Sequence, residues 1–428
     1  YTISGGKATE SSYSGKLTLV TNGGEGDARG EQATLISEIA GSKTNAGGTS
    51  TIRLIGVTAA GGTVGVAVTL GALFVFSNVE AKLEGDVLRA DAVNVAAGMN
   101  YGEVLAVTVG IGAGAVGVSV SAGMAFFLGT VTSAITGDTK IGSLGNNVGS
   151  VNVTSFGTTK ARTAAAGVAV GAVGVGVNIA LAVNVTKIRT YIGQGVTIYS
   201  DGAVAVGSQF DTHAEGYILS VAAGAVGVGV SVVVVVAYAE SLAYIGRTPD
   251  GYTADADASA TAIGAIHAGS VRVQNNLSAE VFIVGLGLAA GGVAVNGLVT
   301  LGFNFATALS AINRINVFTT GAVLVESALD GDTTIVTTAL VGGGVAVGAT
   351  VAAAVLAAQN LALIDITNVE FHAGSVTINA GSIAKPFDAE ARTIVVTGAA
   401  GGVAVAVNFA IAINITKNSA RLQGANGT

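Results

Sequence analysis

Seven valines in this chain, Val64, Val116, Val173, Val226, Val293, Val345 and Val403, each follow a glycine by two residues and each open a long run without charge. The glycines are Gly62, Gly114, Gly171, Gly224, Gly291, Gly343 and Gly401. Nineteen residues beyond the valines stand Leu83, Ile135, Ile192, Ile245, Ile312, Ile364 and Leu422. A spacing held through seven copies means that each copy builds the same unit, which buries its apolar surface against the next. The size prior of about three domains for a chain of this length gives way to one elongated array.

A second landmark of the same form, glycine, small residue, valine, any residue, β-branched residue, interleaves with the first. It begins at Gly149, Gly202, Gly269, Gly321 and Gly374, and a sixth copy has Asp91 in the glycine place. A glycine followed by alternating β-branched residues marks entry into a strand. Entries recurring every 22 or about 30 residues read as two solenoid coils per repeat. Thirteen or fourteen such coils at about 4.8 Å each predict a rod roughly 65 Å long.

The expected organisation is an N-terminal cap or irregular first coils at residues 1–54, then a β-solenoid at 55–424 in seven repeats of 52–67 residues. Residues 425–428 read as the end of a fragment. Length varies chiefly between the last residue of the 19-residue spacing and the next second landmark, the longest addition being an edge-loop insertion at 246–268. Additions confined to one point of a repeat map to one edge of a solenoid.

Charged residues make up 11% of the chain, against about 25% in an average soluble domain, so much is buried and little solvated. A net charge of −7 with no basic run argues against a nucleic-acid partner. The absence of cysteine excludes a disulfide framework and a thiol nucleophile, and suits an exported bacterial protein.

The uncharged runs invite a reading as membrane-spanning helices, since residues 104–137 exceed the ~20 residues a span needs. The alternation opposes it. From Val173 to Leu181 every second residue is β-branched or leucine, the period of a strand. No Lys/Arg-rich loops flank the runs and there is no tryptophan. One strand face carries Val, Ile and Leu and is expected to fill the interior. The other begins with Gly65, Gly117, Gly174, Gly227, Ala294, Ala346 and Ala404. This small-residue face has two readings: covered by another strand or loop of the same chain, or a lateral contact face for a second copy.

The stretch from Ala222 to Val232, followed by Ala243-Tyr244-Ile245-Gly246, resembles the repeats of giant bacterial surface proteins of the filamentous-haemagglutinin and fusobacterial-leukotoxin type. Gly401 to Asn408, with Asn414 to Asn418, is similar to the same unit, and the likeness covers most of residues 55–424. The resemblance implies a right-handed parallel β-helix, export by a type V or two-partner route, and a role in adhesion or as a surface filament. It implies no catalytic residues.

Candidate chemistry is sparse. Asp211, His213 and Glu215 stand at i, i+2 and i+4, on one face of a strand, and would present three metal ligands. No ligand set recurs in the other repeats, so a solvated polar stretch is the plainer reading. Asp250, Asp255 and Asp257 in the insertion would hold Ca²⁺, but lack the regular Asp and Gly spacing of an EF-hand. His267 and His372 are isolated in sequence and read as surface or corner residues. Asp388, Glu390 and Arg392 alternate on one face, as in a carbohydrate-active solenoid enzyme or in plain ion pairing between coils.

The resulting expectation is an all-β solenoid without catalytic residues or cofactor, extracellular or on a bacterial surface. It would contact itself, flanking segments of a longer chain, or host or neighbouring-cell surfaces. A carbohydrate-active enzyme and a polytopic membrane protein are the alternatives.

Overall fold

Valines and other β-branched residues at alternate positions favour extended backbone, and here the hydrogen-bonding edges of each extended segment meet the equivalent segment one repeat away. The computed structural model describes residues 51–252, 263–381 and 387–424, together with the backbone of short strands within residues 2–50. Among these the chain is an all-β parallel solenoid with no helix. No helix is long and apolar enough to cross a membrane, so the polytopic helical alternative does not hold for the described residues.

One coil is a whole repeat. In the third, a first long strand, Val151–Val170, turns through an arch at Gly171 and Ala172 into a second, Val173–Gly193. A short strand, Thr197–Tyr199, then closes the base. Val151 lies beside Val204, Val173 beside Val226 and Ile198 beside Ile266, each in the next coil. The seven landmark valines therefore form one column, and so do the residues nineteen beyond them. This corrects the expected two coils per repeat. The two landmarks of one repeat enter opposite sheets, which touch through side chains and not through backbone hydrogen bonds. Seven coils at about 4.8 Å give about 34 Å along the axis, and strands of 20 residues span about 66 Å across it. The body is a slab, broader than it is tall, and not a rod of thirteen or fourteen coils.

Part of the expected cap joins the same ladders: Leu17–Val20 pairs with residues 81–84, Gln32–Ala40 with 92–100, and Ser50–Ala60 with 101–112. The insertion leaves the second long strand at Gly246 and returns as the short strand Ala265–Ala268, so its place is the base of the slab.

In cross-section the coil is a wedge. At the base, where the short strands separate the long sheets, large side chains fill the space: Ile135, Ile141, Ile188, Ile192, Ile198 and Phe210 are fully buried. Toward the arch the sheets close until single hydroxyls span the gap. Ser119 Oγ donates to the Gly110 carbonyl at 2.8 Å and Thr69 Oγ1 to that of Val109 at 2.9 Å. Larger inner side chains meet glycine on the opposite sheet, Asn178 against Gly167, Asn296 against Gly287, and Val233 with Val235 against Gly216. Such large-against-small matching is what close packing of two flat surfaces requires.

The thin interior inverts the expected faces. Gly65, Gly117, Gly174, Gly227, Ala294 and Ala346 are buried, covered by the first strands of their own and neighbouring coils. Ala404, in the last described coil, is exposed. Near the arch the alternating Val, Ile and Leu residues point outward instead of filling the core, because between sheets this close Gly, Ala, Ser, Thr and Asn fit, and a larger inner residue such as Val233 is accommodated where glycine faces it. The small face is thus an internal contact in the coils with neighbours on both sides, as the first of the two readings expects.

The arch glycines are fixed by stacking more than by turn geometry. Gly62 (φ 138°) and Gly114 (φ 154°) adopt backbone that favours glycine, and the later arch glycines do not. From Gly114 onward, however, a Cβ on each would lie closer than 3.0 Å to the carbonyl oxygen of the arch glycine one coil earlier.

Candidate functional site

Three surfaces of the slab carry distinct chemistry. The first is the base half of the first-strand sheet, where outward side chains stack in register. Lys160, His213, Glu280, Asp332 and Glu390 form one row across five coils, and Arg162 stands beside Glu215 in the next. Asp211, His213 and Glu215 do share a face, but the structure sends the latter two to separate partners. His213 Nδ1 lies 2.9 Å from Glu280 Oε2. Glu215 accepts from Arg162 Nε at 2.7 Å and from the Tyr217 hydroxyl at 2.8 Å, and pairs with Lys160. Burial works to raise the Glu215 pKa, but the bonds from Lys160, Tyr217 and Arg162 outweigh it and hold the carboxyl below its usual range. Tyr217 is pushed up to about 12 by burial and by the Glu215 carboxylate. Arg162 also reaches Glu103 at 3.2 Å, and Glu103 pairs with Arg53, so the network ties four coils together.

Farther along the axis the row is acidic. Burial, with Glu280, Glu390 and Asp330 nearby, raises the Asp332 carboxyl despite a bond from Thr334. Asp388, Glu390 and Arg392 project from the last of these strands, exposed on its outer face. Asp250 lies 3.4 Å from Arg314, which pairs it with a cation. Asp255 and Asp257 lie outside the described residues. No group of three His, Cys, Asp or Glu side chains arranged to hold a metal occurs among the described residues.

The second surface is the short-strand sheet at the base. His267 and His372, isolated in sequence, belong to one aromatic ladder. Tyr199 stacks on His267 with centroids 4.5 Å apart, His267 on Phe318 at 4.7 Å, and Phe318 on His372 at 5.3 Å. Burial lowers the His267 pKa and favours the neutral ring in the stack. The signal was available in the sequence as one aromatic position recurring in successive repeats, but it required the coil length to be known.

The third surface is the outer face of the second-strand sheet. From each landmark valine, thirteen further residues carry no charge, and the outward ones are almost all aliphatic or aromatic. Leu70 is 73% exposed, Phe76 72% and Val230 42%. Phe74 and Phe126 stack across coils at 4.7 Å. Polar side chains return at one register, Asn78, Thr130, Lys187, Glu240, Thr307, Gln359 and Lys417, which form one column across the sheet. Beyond that border, residues 247–252 fold over the sheet and Tyr252 covers a patch that includes Tyr191, Leu242, Tyr244 and Leu309. On the opposite sheet a shallow open groove of 590 Å³ is lined by apolar residues such as Val221, Leu288, Leu340 and Ala399.

Buried asparagines, which the sequence reading passed over, brace the two sheets. Asn304 Nδ2 donates to the carbonyls of Ala279 (2.7 Å) and Asp332 (2.9 Å), one in each of two successive coils. Asn184 does the same to Thr159 (3.2 Å) and His213 (2.8 Å). Asn296 is buried but has no hydrogen-bond partner on either side-chain atom. One substitution at two asparagines should thus act in opposite directions. Asn304→Val removes two bonds and is expected to cost about 1–2 kcal/mol, whereas Asn296→Val removes an unpaired buried amide and should stabilise by about 1 kcal/mol. Urea unfolding of the two variants beside the unmodified protein measures both. Equal signs would contradict the bracing role.

No protein-family model, curated protein or solved structure matches the chain.

Proposed function

We propose that the chain is a structural and adhesive segment of an exported bacterial surface protein or extracellular filament, acting by rigid extension and lateral contact. The observation that carries this reading is the flat outer face, uncharged over the same fourteen positions in seven coils, on a body whose sheets are bonded coil to coil throughout. Such a body resists bending, and large exposed apolar patches on soluble proteins mark interaction sites. The proposed partners are the protein itself, flanking segments of a longer chain, or host and neighbouring-cell surfaces. An extracellular location and a type V or two-partner route fit the resemblance of the repeats to surface adhesins. The row formed by Glu280, Asp332 and Glu390 lies on strands, and the apolar groove lies elsewhere. That separation sets the carbohydrate-active alternative below the structural one.

Negative-stain images of the purified chain test the reading. Flat blocks of uniform breadth that associate side by side, and that adhere to cells or coated surfaces, are expected. Polysaccharide turnover abolished by Asp388→Ala or Asp211→Ala would overturn it in favour of an enzyme.

A further inference from the structure

We infer that the outer face of the second-strand sheet is a homotypic docking surface, on which a second copy of this chain packs sheet against sheet. The inference rests on the proposed structural role and names its contact.

Area is the first argument. Thirteen residues at ~3.3 Å along the strands and seven strands at ~4.8 Å give about 1,400 Å², against the ~800 Å² per partner of a stable complex. Shape is the second. Every row across this face repeats at the coil spacing, with side chains such as Leu181, Val234 and Leu301 held in a straight ladder. Two copies of such a face share one period and interdigitate as the sheets of a β-sandwich do. A face that meets its own copy about a two-fold axis needs no other complementarity than with itself.

The distribution of charge separates a second copy from lipid. A slab entering a bilayer by its arch needs an uncharged band of equal depth on both faces. The two faces differ here. On the first-strand sheet, Arg53, Arg162, Glu215 and Arg392 stand nine residues before their arch glycines, and Glu103 and Asp332 eleven, which leaves about 26–33 Å free of charge. On the second-strand sheet the uncharged run extends fourteen residues, about 46 Å, well beyond the ~30 Å of a hydrocarbon core. One face is apolar far past the depth at which the other is charged, which suits contact on one side only.

The test uses substitutions that leave the ladder balanced. Val177 and Val230 are adjacent rungs, as are Leu181 and Val234. Changing them to Val177→Lys, Val230→Glu, Leu181→Lys and Val234→Glu places opposite charges side by side on the face. A second variant, Ala166→Lys with Leu219→Glu, does the same on the opposite sheet. Sedimentation velocity on the unmodified chain at micromolar concentration should show dimers or larger species. The first variant should raise the dissociation constant about 100-fold or more, since charges buried at an interface cost over a kcal/mol each, and the second should leave it unchanged. Small-angle scattering should report the same slab for all three. A monomeric unmodified protein, association that survives in the first variant, or loss of association in the second would each overturn the inference. So would flotation with phosphatidylcholine vesicles that the first variant abolishes, in a protein that does not self-associate without lipid. A monomer that still scatters as a rigid slab refutes the docking surface alone; scattering without the slab refutes the structural reading first.

Discussion

Replacing Gly224 by alanine should destabilise the protein by about 3 kcal/mol or more, out of proportion to one methyl group. The added Cβ would lie well under 3.0 Å from the carbonyl oxygen of Gly171 and at 3.0 Å from that of Ala172. Neither can move aside. Gly171 is packed in the same way on Gly114, and Gly291 on Gly224, so relief at one arch tightens the next. In a solenoid, stability is a sum of coil terms and nearest-neighbour terms, and this substitution strikes a neighbour term in the middle of the stack. Thermal unfolding, expected to be a single cooperative transition in the unmodified chain, should therefore separate into two transitions, one for the coils on each side. Gly297→Ala is the control. Its Cβ would point outward and meet nothing within 4 Å. It should be neutral or stabilise by about 0.4–1 kcal/mol through the unfolded chain. Equal Tm shifts for the two variants would show that the arch column is not under steric constraint.

The same glycines show what the sequence discloses and what it does not. Their spacing predicts that Val173 stands over Val116 and under Val226, and the hydrogen-bond register places it there. Strand alternation and the rejection of helices likewise follow from residues such as Val173 to Leu181. The coil count does not follow. Spacings of 22 and about 30 residues both suit a coil, and only the pairing of Val151 with Val204 instead of Val173 reveals that the two landmarks of a repeat lie in different sheets.

Nor does alternation say which face is inside. The rule that large apolar residues are buried assumes sheets about 10 Å apart. Where serine hydroxyls bridge the gap, the interior admits Gly174, Gly176 and Asn178, and Val175 and Val177 are left outside. A sign was present, because the first strands carry their own small-residue face, Thr163, Ala165 and Gly167, which packs against Gly123, Ala180 and Asn178. Two small faces in one repeat are the signature of two sheets closing on each other. His213 and Glu215 are drawn to separate partners for a different reason. Side chains at i, i+2 and i+4 share a face, but in a parallel stack the nearest neighbours of His213 and Glu215 are in the adjoining coils, at Glu280, Lys160 and Arg162.

Asp365→Ala is expected to cost about 3 kcal/mol at neutral pH. This carboxylate is 2% exposed and closes the corner at the base of the sixth coil. Its Oδ1 accepts from the Thr367 backbone N–H at 3.0 Å and from the Thr367 hydroxyl at 2.6 Å. Its Oδ2 accepts from Arg314 Nε at 2.9 Å in the preceding coil and from Gln423 Nε2 at 3.0 Å in the following one. Three coils meet at one charge, and its removal leaves the donors of Thr367, Gln423 and Arg314 without it. Arg314 also holds a left-handed backbone (φ 51°) that only surrounding bonds maintain in a non-glycine residue.

Burial works to raise the Asp365 pKa, but Thr367, Gln423 and Arg314 outweigh it and bring the value down to about 2. The folded value lies below the ~3.9 of an unfolded aspartate, so the stabilisation is complete above that range and is lost as pH falls through it toward about 2. The difference is of order 2 kcal/mol at neutral pH, and Glu215, also held low, adds to it in the same direction. Urea unfolding at neutral pH and near pH 2 should therefore show the gap between unmodified protein and variant narrowing on acidification. Asp365→Asn, which keeps the size and one acceptor but not the charge, should fall between the two at neutral pH and approach the unmodified protein in acid. A gap independent of pH would mean that Asp365 acts by filling space, and the corner would then owe its shape to packing and not to a shared carboxylate.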